Sequence, residues 1–396
     1  MSLTDTPNAN RLHIALFGRR NSGKSSLINA LTGQDIALVS NTPGTTTDLV
    51  SKAMEIQGIG PCLFIDTPGF DDEGELGELR ISRTLKAIEK TDIALLLRED
   101  TTFFHEKEIL ALLKEKNIPV IPVLNKIDIR ENSDHLATYI EEQCKIHPLL
   151  ISAKEKIGIE LIRQTILEKL PSDFGQQSIT GKLVAENDLV LLVMPQDIQA
   201  PKGRLILPQV QTIRELLDKK CLVMTCTTDK FSATLQALAR PPKLIITDSQ
   251  VFKAIYEQKP AESELTSFSV LFAGYKGDIH YYVESAAVIE RLTESSRVLI
   301  AEACTHAPLS EDIGRVKLPR LLRKRIGENL QIDMVAGTDF PQDLTPYSLI
   351  IHCGACMFNR KYVLSRIERA REQHIPMTNY GVAIAFLNGI LDQIKY

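Results

Sequence analysis

The chain has 396 residues, enough for two or three domains that each bury a core. Apolar residues make up 44% and charged residues 24%, an ordinary soluble composition, and a net charge of −4 with pI near 6.1 gives no global basic field for nucleic acid. Seven cysteines are too sparse for a disulfide scaffold, no apolar run approaches the roughly 20 residues of a membrane span, and the polar start "MSLTDTPNAN" lacks a signal peptide's apolar core, so a cytoplasmic protein without membrane contact is expected.

From Leu12 to about Leu170, short apolar runs alternate with amphipathic segments: "LHIALF", "CLFIDTPG", "IALLLR", "PVIPVLNK" and "PLLISAK". That alternation predicts βαβ units, a mainly parallel sheet with helices on both faces. The stretch "LPSDFGQQSITGK" (170–182) reads as a boundary loop. A second alternating set follows, with strands expected in "LVLLVM", "CLVMTC" and "KLIITD", and the polar "EQKPAESE" (257–264) suggests another boundary. The third set has strand candidates "RVLIAEAC" and "SLIIHC", and a terminal helix is expected over 382–394. The expectation is therefore an α/β protein of three parts, 1–172, 173–262 and 263–396, the last two smaller than the first.

The first part carries "GRRNSGKS": Gly18, four residues, then Gly23, Lys24 and Ser25, between the strand "HIALF" and the helical "SSLINAL". This is the context a P-loop requires. Its backbone from Gly18 through Asn21 and Ser22 to Ser26 would wrap phosphate oxygens, Lys24 would reach the β and γ phosphates, and Ser25 would ligate Mg²⁺. "TPGTTTD" offers Thr45 and Thr46, with Thr46 as a second Mg²⁺ ligand that senses the γ-phosphate. "DTPG" puts Asp66 at a strand end to act on the metal through water, with the Gly69 N–H available to the γ-phosphate. "NKID" supplies Asn125, Lys126 and Asp128, whose carboxylate accepts both donors on the guanine N1/N2 edge, an edge adenine lacks. Ser152, Ala153 and Lys154 bring backbone to the guanine O6. Five elements in this order specify GTP.

The set resembles the translation-factor-related GTPases, especially the branch represented by MnmE and Era. In that branch an apolar residue follows the "DTPG" glycine, here Phe70, so a water-positioning glutamine is missing from its usual place. Asn21 stands where potassium-dependent relatives use an asparagine to hold K⁺, although loop geometry explains an asparagine equally well. The resemblance implies slow, K⁺-stimulated GTP hydrolysis.

Cys62, Cys144, Cys221 and Cys226 lie in or beside apolar elements and read as small buried residues. Cys304 ("CTHAP"), Cys353 and Cys356 ("HCGAC") follow strand candidates, where open α/β sheets place ligand sites, and His306 and His352 accompany them. Zinc would accept three thiolates and an imidazole, a redox pair would use Cys353 and Cys356 alone, and an iron–sulfur cluster takes three thiolates and leaves one iron exchangeable. Spacing favours a metal over redox and leaves zinc against iron open.

A GTPase domain followed by "CTH", a long gap and "HCGAC", with "APKGRLILPQVQTIRELL" (200–217) between, resembles the maturation GTPases of FeFe-hydrogenases, the HydF family, over nearly the whole chain. That resemblance implies a homodimer through the middle part and a 4Fe–4S cluster on Cys304, Cys353 and Cys356. It implies a scaffold that receives a two-iron precursor made with the radical-SAM maturases HydE and HydG and hands it to apo-hydrogenase. His306, His352 and Asp197 are candidates for the fourth iron or its surroundings. Two other classes compete: a GTPase of RNA modification and a zinc-stapled regulatory GTPase. The basic run "RVKLPRLLRKR" (315–325) lacks interleaved aromatics and reads as a solvated helix face rather than an RNA contact.

Overall fold

The computed structural model describes residues 6–32, 50–56, 58–67, 83–100, 106–171, 174–175, 177–195, 205–303 and 312–396. They form two compact units, Met1–Gln176 and Gln177–Tyr396. The expected first boundary, 172/173, lies close to this division.

The first unit is built on a six-stranded sheet in the order β2-β3-β1-β4-β5-β6. Its strands are β1 (Leu12–Phe17), β2 (Val50–Ile56), β3 (Gly60–Asp66), β4 (Ile93–Arg98), β5 (Val120–Leu124) and β6 (Leu149–Leu150). Every pairing is parallel except that of β2 with β3. Helices α1 (Lys24–Thr32), α2 (Glu106–Glu115) and α3 (Ser133–Cys144) lie between strands, and α4 (Ile159–Glu168) follows β6. β1 shows why its sequence is an unbroken apolar run. Leu12, Ile14 and Leu16 enter one core and Ala15 and Phe17 the other, because successive side chains leave opposite faces and both faces are covered.

The second unit holds two four-stranded sheets, β10-β9-β7-β8 and β12-β11-β13-β14, with every pairing parallel. The first comprises β7 (Leu189–Val193), β8 (Leu222–Cys226), β9 (Leu244–Thr247) and β10 (Glu264–Ser267), with helices α5 (Leu207–Asp218), α6 (Phe231–Ala237) and α7 (Phe252–Tyr256) between strands. Helices α8 (Phe268–Lys276) and α9 (Ile279–Ala286) then lead into β11 (Arg297–Ala301), β12 (Gln331–Val335), β13 (Leu349–His352) and β14 (Met377–Asn379). Helix α10 (Leu318–Ile326) joins β11 to β12, α11 (Arg360–Glu372) joins β13 to β14, and α12 (Tyr380–Leu387) follows the last strand. The terminal helix is shorter than expected: it stops before Gly389, whose φ of 70° an α-helix cannot continue.

The expected break at 262/263 falls inside the second unit, where each sheet has a core of its own and the two also share one. β10 begins at Glu264, just beyond that break, and pairs with β9. Leu191, Val193 and Ile245 of the first sheet share one apolar cluster with Leu299, Ala301 and Ile350 of the second. The polar 257–264 stretch is a surface turn that runs into a strand. Among the described residues, no helix is long and apolar enough to cross a membrane.

Candidate functional site

In the first unit the loop after β1 enters α1 at Lys24. The Lys24 ammonium, 8% exposed, donates to the carbonyls of Gly18 at 2.9 Å and Arg19 at 2.7 Å, which poises it inside the loop where phosphate oxygens would sit. Ser25 Oγ donates to Asp66 Oδ2 at 3.0 Å, bringing together the two groups expected at Mg²⁺. Asp66 Oδ1 is buried without a hydrogen-bond partner among the described residues, and burial raises the carboxyl against the pull of Ser25 and Lys24. A buried, half-partnered carboxylate beside a hydroxyl is a donor set that fits a hard divalent cation.

Asn125 ties the motifs to one another. Its Nδ2 donates to Ser22 O at 2.9 Å and its Oδ1 accepts from Ala153 N at 3.0 Å, so one buried amide joins the phosphate loop, "NKID" and "SAK". Gly23 lies against it: with φ of +91°, an added Cβ would stand 2.2 Å from Asn125 Nδ2. Asp128 is exposed, and the Ser152 hydroxyl holds its carboxyl below the usual carboxylate range, ready to accept. Lys126 adopts a left-handed φ of 67° and pairs with Glu99, while Lys154 is exposed. Asn21 is exposed with φ of 63°, a conformation asparagine tolerates better than most residues, and Ser26 is exposed on the first turn of α1. Beneath the loop, sequence reasoning missed a buried network in which Arg19 and Arg98 both pair with Glu106 at the start of α2. Thr45, Thr46, Gly69 and Phe70 lie outside the described residues.

In the second unit, a cleft of about 200 Å³ opens beyond the carboxyl ends of the strands. Cys353 and Cys356 line it together with Glu302, Asp312, Gly314 and Tyr380. Cys353 Sγ accepts from the amides of Ala303 at 3.0 Å and Ala355 at 3.4 Å. Enclosure and the neighbouring Cys356 push the metal-free Cys353 thiol up to about 11, against those amides and Arg366. Glu302 holds Arg315 at 3.1 Å and accepts from Tyr380 Oη at 3.4 Å. Gly314 is required there, since a Cβ would meet Tyr380 Oη at 2.1 Å.

His352 does not face this cleft. Successive residues of a strand point to opposite faces, so the residue before Cys353 turns inward and is fully buried. Its Nε2 takes a hydrogen bond from Arg366 at 2.8 Å, which requires the neutral ring and leaves Nδ1–H to donate to Cys353 O at 2.8 Å. Burial, with Arg366 adding, pulls this imidazole down to about 3. With both nitrogens occupied, His352 supports the Cys353 backbone from beside the cysteine loop and presents no open ligand position. Arg366 is itself buried, about 4.7 Å from the rings of Phe340, Phe358 and Tyr362, and it donates to Gly337 O at 2.6 Å.

Sequence reasoning also missed Lys276, the last residue of α8, which is 2% exposed behind the cysteine loop. Burial brings its ammonium down to about 8, and the Cys356 and Cys353 sulfurs oppose that shift. Its signal was a lysine ending an otherwise apolar helix, "FSVLFAGYK". Cys304, His306 and Asp197 lie outside the described residues. Among the described residues, no group of three His, Cys, Asp or Glu side chains is assembled to hold a metal. Cys62, Cys144 and Cys221 are buried and Cys226 half-buried, and none of them lines the cleft.

The parallel sheet, the phosphate loop and the asparagine-linked base motifs define the first unit as a P-loop GTPase domain, and residues 13–126 match the family model of the 50S ribosome-binding GTPase. Residues 179–277 match the Hydrogen maturase F dimerization domain and 280–395 the Hydrogen maturase F tetramerization domain. The chain belongs to the hydrogen maturase F (HydF) family, whose two domains take in more than half of it. The GTPase part is similar to the tRNA modification GTPase MnmE of Dechloromonas aromatica, 40% identical over 159 residues, which cover 39% of this chain and 34% of that protein. It is also similar to GTPase Der of Wolinella succinogenes, 35% identical over 192 residues, 44% of this chain and 40% of that one. The chain thus spans about a third of the length of the curated MnmE relatives it matches. Among solved structures, Aquifex aeolicus Era bound to GDP·AlF4⁻ aligns with 57% of this chain and 98% of its own, at 20% identity and a TM-score of 0.35.

Proposed function

We propose that this chain is a GTP-hydrolysing carrier in hydrogenase maturation, cytoplasmic and at least dimeric. It would hold a 4Fe–4S cluster on Cys304, Cys353 and Cys356, and pass a two-iron precursor to apo FeFe-hydrogenase. The observation that carries the reading is the cysteine cleft. Two thiols open onto one cavity at a sheet's carboxyl edge, and amides donate to one sulfur, the environment in which thiolate-ligated clusters are held and tuned. The amide of Ala303, the residue before Cys304, is one of those donors, which supports Cys304 as the third ligand. When bound, the cluster would supply an iron with an exchangeable coordination position.

The residues of the chain account for the rest. Lys24 and the loop amides would bind phosphate, Ser25 and Asp66 would hold Mg²⁺ with Thr46, and Asn125 and Asp128 would select guanine. Gly314, Glu302 and Tyr380 would shape the wall opposite the thiols. Asp197 and His306 remain the candidates for the fourth iron, and Pro195, two residues before Asp197, lines the cleft. HydE and HydG fit as the maturases that supply the precursor, and K⁺ at Asn21 fits a site without a glutamine at position 70. Iron, sulfide and zinc analysis with EPR on anaerobically purified full-length protein tests the reading. Near-stoichiometric cluster iron and a thiolate-ligated signal are expected. Stoichiometric zinc without iron would overturn it and favour a zinc-stapled GTPase.

A further inference from the structure

Lys276 and the cysteine loop hold each other reciprocally. Lys276 Nζ donates to the carbonyls of Ala355 at 3.1 Å, Cys356 at 3.3 Å and Phe358 at 2.6 Å. The ammonium has three hydrogens on its one nitrogen, and all three go to one turn of chain. In return, Arg360 at the start of α11 reaches back to the carbonyls of Tyr275 at 3.0 Å and Gly277 at 3.2 Å, at the carboxyl end of α8. The clamped turn needs support, because Ala355 has φ of 51°, the left-handed region that alanine rarely enters.

Lys276 has no carboxylate partner among the described residues, yet it is nearly inaccessible to water. A buried ammonium balanced only by carbonyl dipoles is costly and invites an anion. The groups in its field that can carry negative charge are the Cys353 and Cys356 sulfurs, once metal binding takes their protons. A cluster held by three thiolates carries net negative charge, and more of it once reduced. A fixed buried cation therefore stabilises the reduced form more than the oxidised one.

We propose that Lys276 is a positioning residue of the cysteine site: it fixes the Cys353–Cys356 turn in its ligating shape and supplies the buried positive charge that sets the reduction potential of the cluster. The inference rests on the cluster reading above. Its elements separate cleanly. Lys276→Gln keeps hydrogen-bond donors and removes charge, Lys276→Met removes both, and Lys276→Arg keeps charge.

Each variant of the full chain is reconstituted anaerobically. Iron per chain, the EPR-monitored midpoint potential, the thermal midpoint without metal and GTP hydrolysis are then measured. Lys276→Gln should keep most of its iron with a more negative midpoint, and Lys276→Arg should lie closer to wild type. Lys276→Met should lose iron affinity by about tenfold or more, as the removal of a ligand's supporting group does. GTP hydrolysis should be unchanged in all three. An unshifted midpoint in Lys276→Gln, or wild-type iron in Lys276→Met, overturns the proposal while the cluster stands. Absence of iron from wild type itself overturns the cluster reading and this one with it. If Lys276→Gln or Lys276→Met fails to fold without metal, the comparison of Lys276→Arg with wild type decides, and a midpoint as far displaced as a charge loss would give counts against the proposal.

Discussion

At the scale of single residues, Gly23 and Asn125 show how little tolerance the nucleotide site has. A Cβ at Gly23 would collide with the amide that joins three motifs, and the backbone there is already in a region closed to most side chains. Gly23→Ala should weaken GTP binding by about 3 kcal/mol, the scale of a clash added to strain, and calorimetric titration with a non-hydrolysable analogue would show it. Binding within threefold of wild type would show that the loop relaxes. Asn21 tests a subtler point. Its left-handed φ satisfies the loop-geometry account in full, so a role for K⁺ has to appear kinetically. GTP hydrolysis should run faster in K⁺ than in Na⁺, and the gap should narrow in Asn21→Ala; equal rates in both salts would remove potassium and leave the GTP site intact. The P-loop and "NKID" were legible in sequence because their chemistry is local to a few consecutive residues. His352 shows the limit of such local reading: adjacency to Cys353 suggests a shared cleft, whereas a two-residue period sends neighbours on a strand to opposite faces.

Among elements, the strands read most easily were those buried on both faces. "LHIALF" and "IALLLR" coincide with β1 and β4 because a continuous apolar run has few other solutions. The expected list lacked β2, β10, β12 and β14, all at sheet edges. "ELTS" and "MTN" are too short to show a period, and "QIDMV" alternates only weakly because its outer side meets water. Long-range anchors were equally hidden. Glu215 on α5 accepts from Ser178 Oγ, Ile179 N, and Thr180 N and Oγ1, stapling the entry segment of the second unit onto that helix. Burial alone would raise its carboxyl, but these donors outweigh burial and hold it below the usual range. Its folded pKa therefore lies below the unfolded one. The stabilisation is complete above the ordinary carboxylate pKa and disappears as pH falls through the folded value. Glu215→Gln should cost about 2 kcal/mol at neutral pH, and the penalty should shrink in acid. Urea unfolding at several pH values would read this, and a penalty independent of pH would mean the charge is irrelevant.

For the molecule as a whole, the open edges of the second unit matter most. The outer edge of β10 is bridged by the chain terminus, where Lys395 N donates to Leu265 O and Ile394 pairs with Leu265. The opposite edge, β8, exposes Leu222 and Met224, and Val210 and Leu217 are exposed on α5 nearby in sequence. An exposed apolar edge strand is a template for pairing with another chain. Met224→Lys should therefore raise the dissociation constant of self-association by about tenfold, or 1.4 kcal/mol. Light scattering coupled to gel filtration would detect it, and an undiminished mass at low micromolar protein would place the interface elsewhere. The two units should also be separable by function. Lys24→Ala should abolish GTP turnover and leave iron content unchanged, while Cys353→Ser or Cys356→Ser should do the reverse, since serine oxygen is a poor replacement for thiolate on iron. Full iron in either serine variant would remove that cysteine from the ligand set. Finally, the apolar cluster common to β7, β9, β11 and β13 has a consequence for how the unit opens. Each sheet keeps a core of its own on its far face, but the shared cluster couples them, so opening either one exposes side chains of the other. Prising the two sheets apart would strip apolar side chains from both, so the amides of β7, β9, β11 and β13 should exchange with solvent together and late.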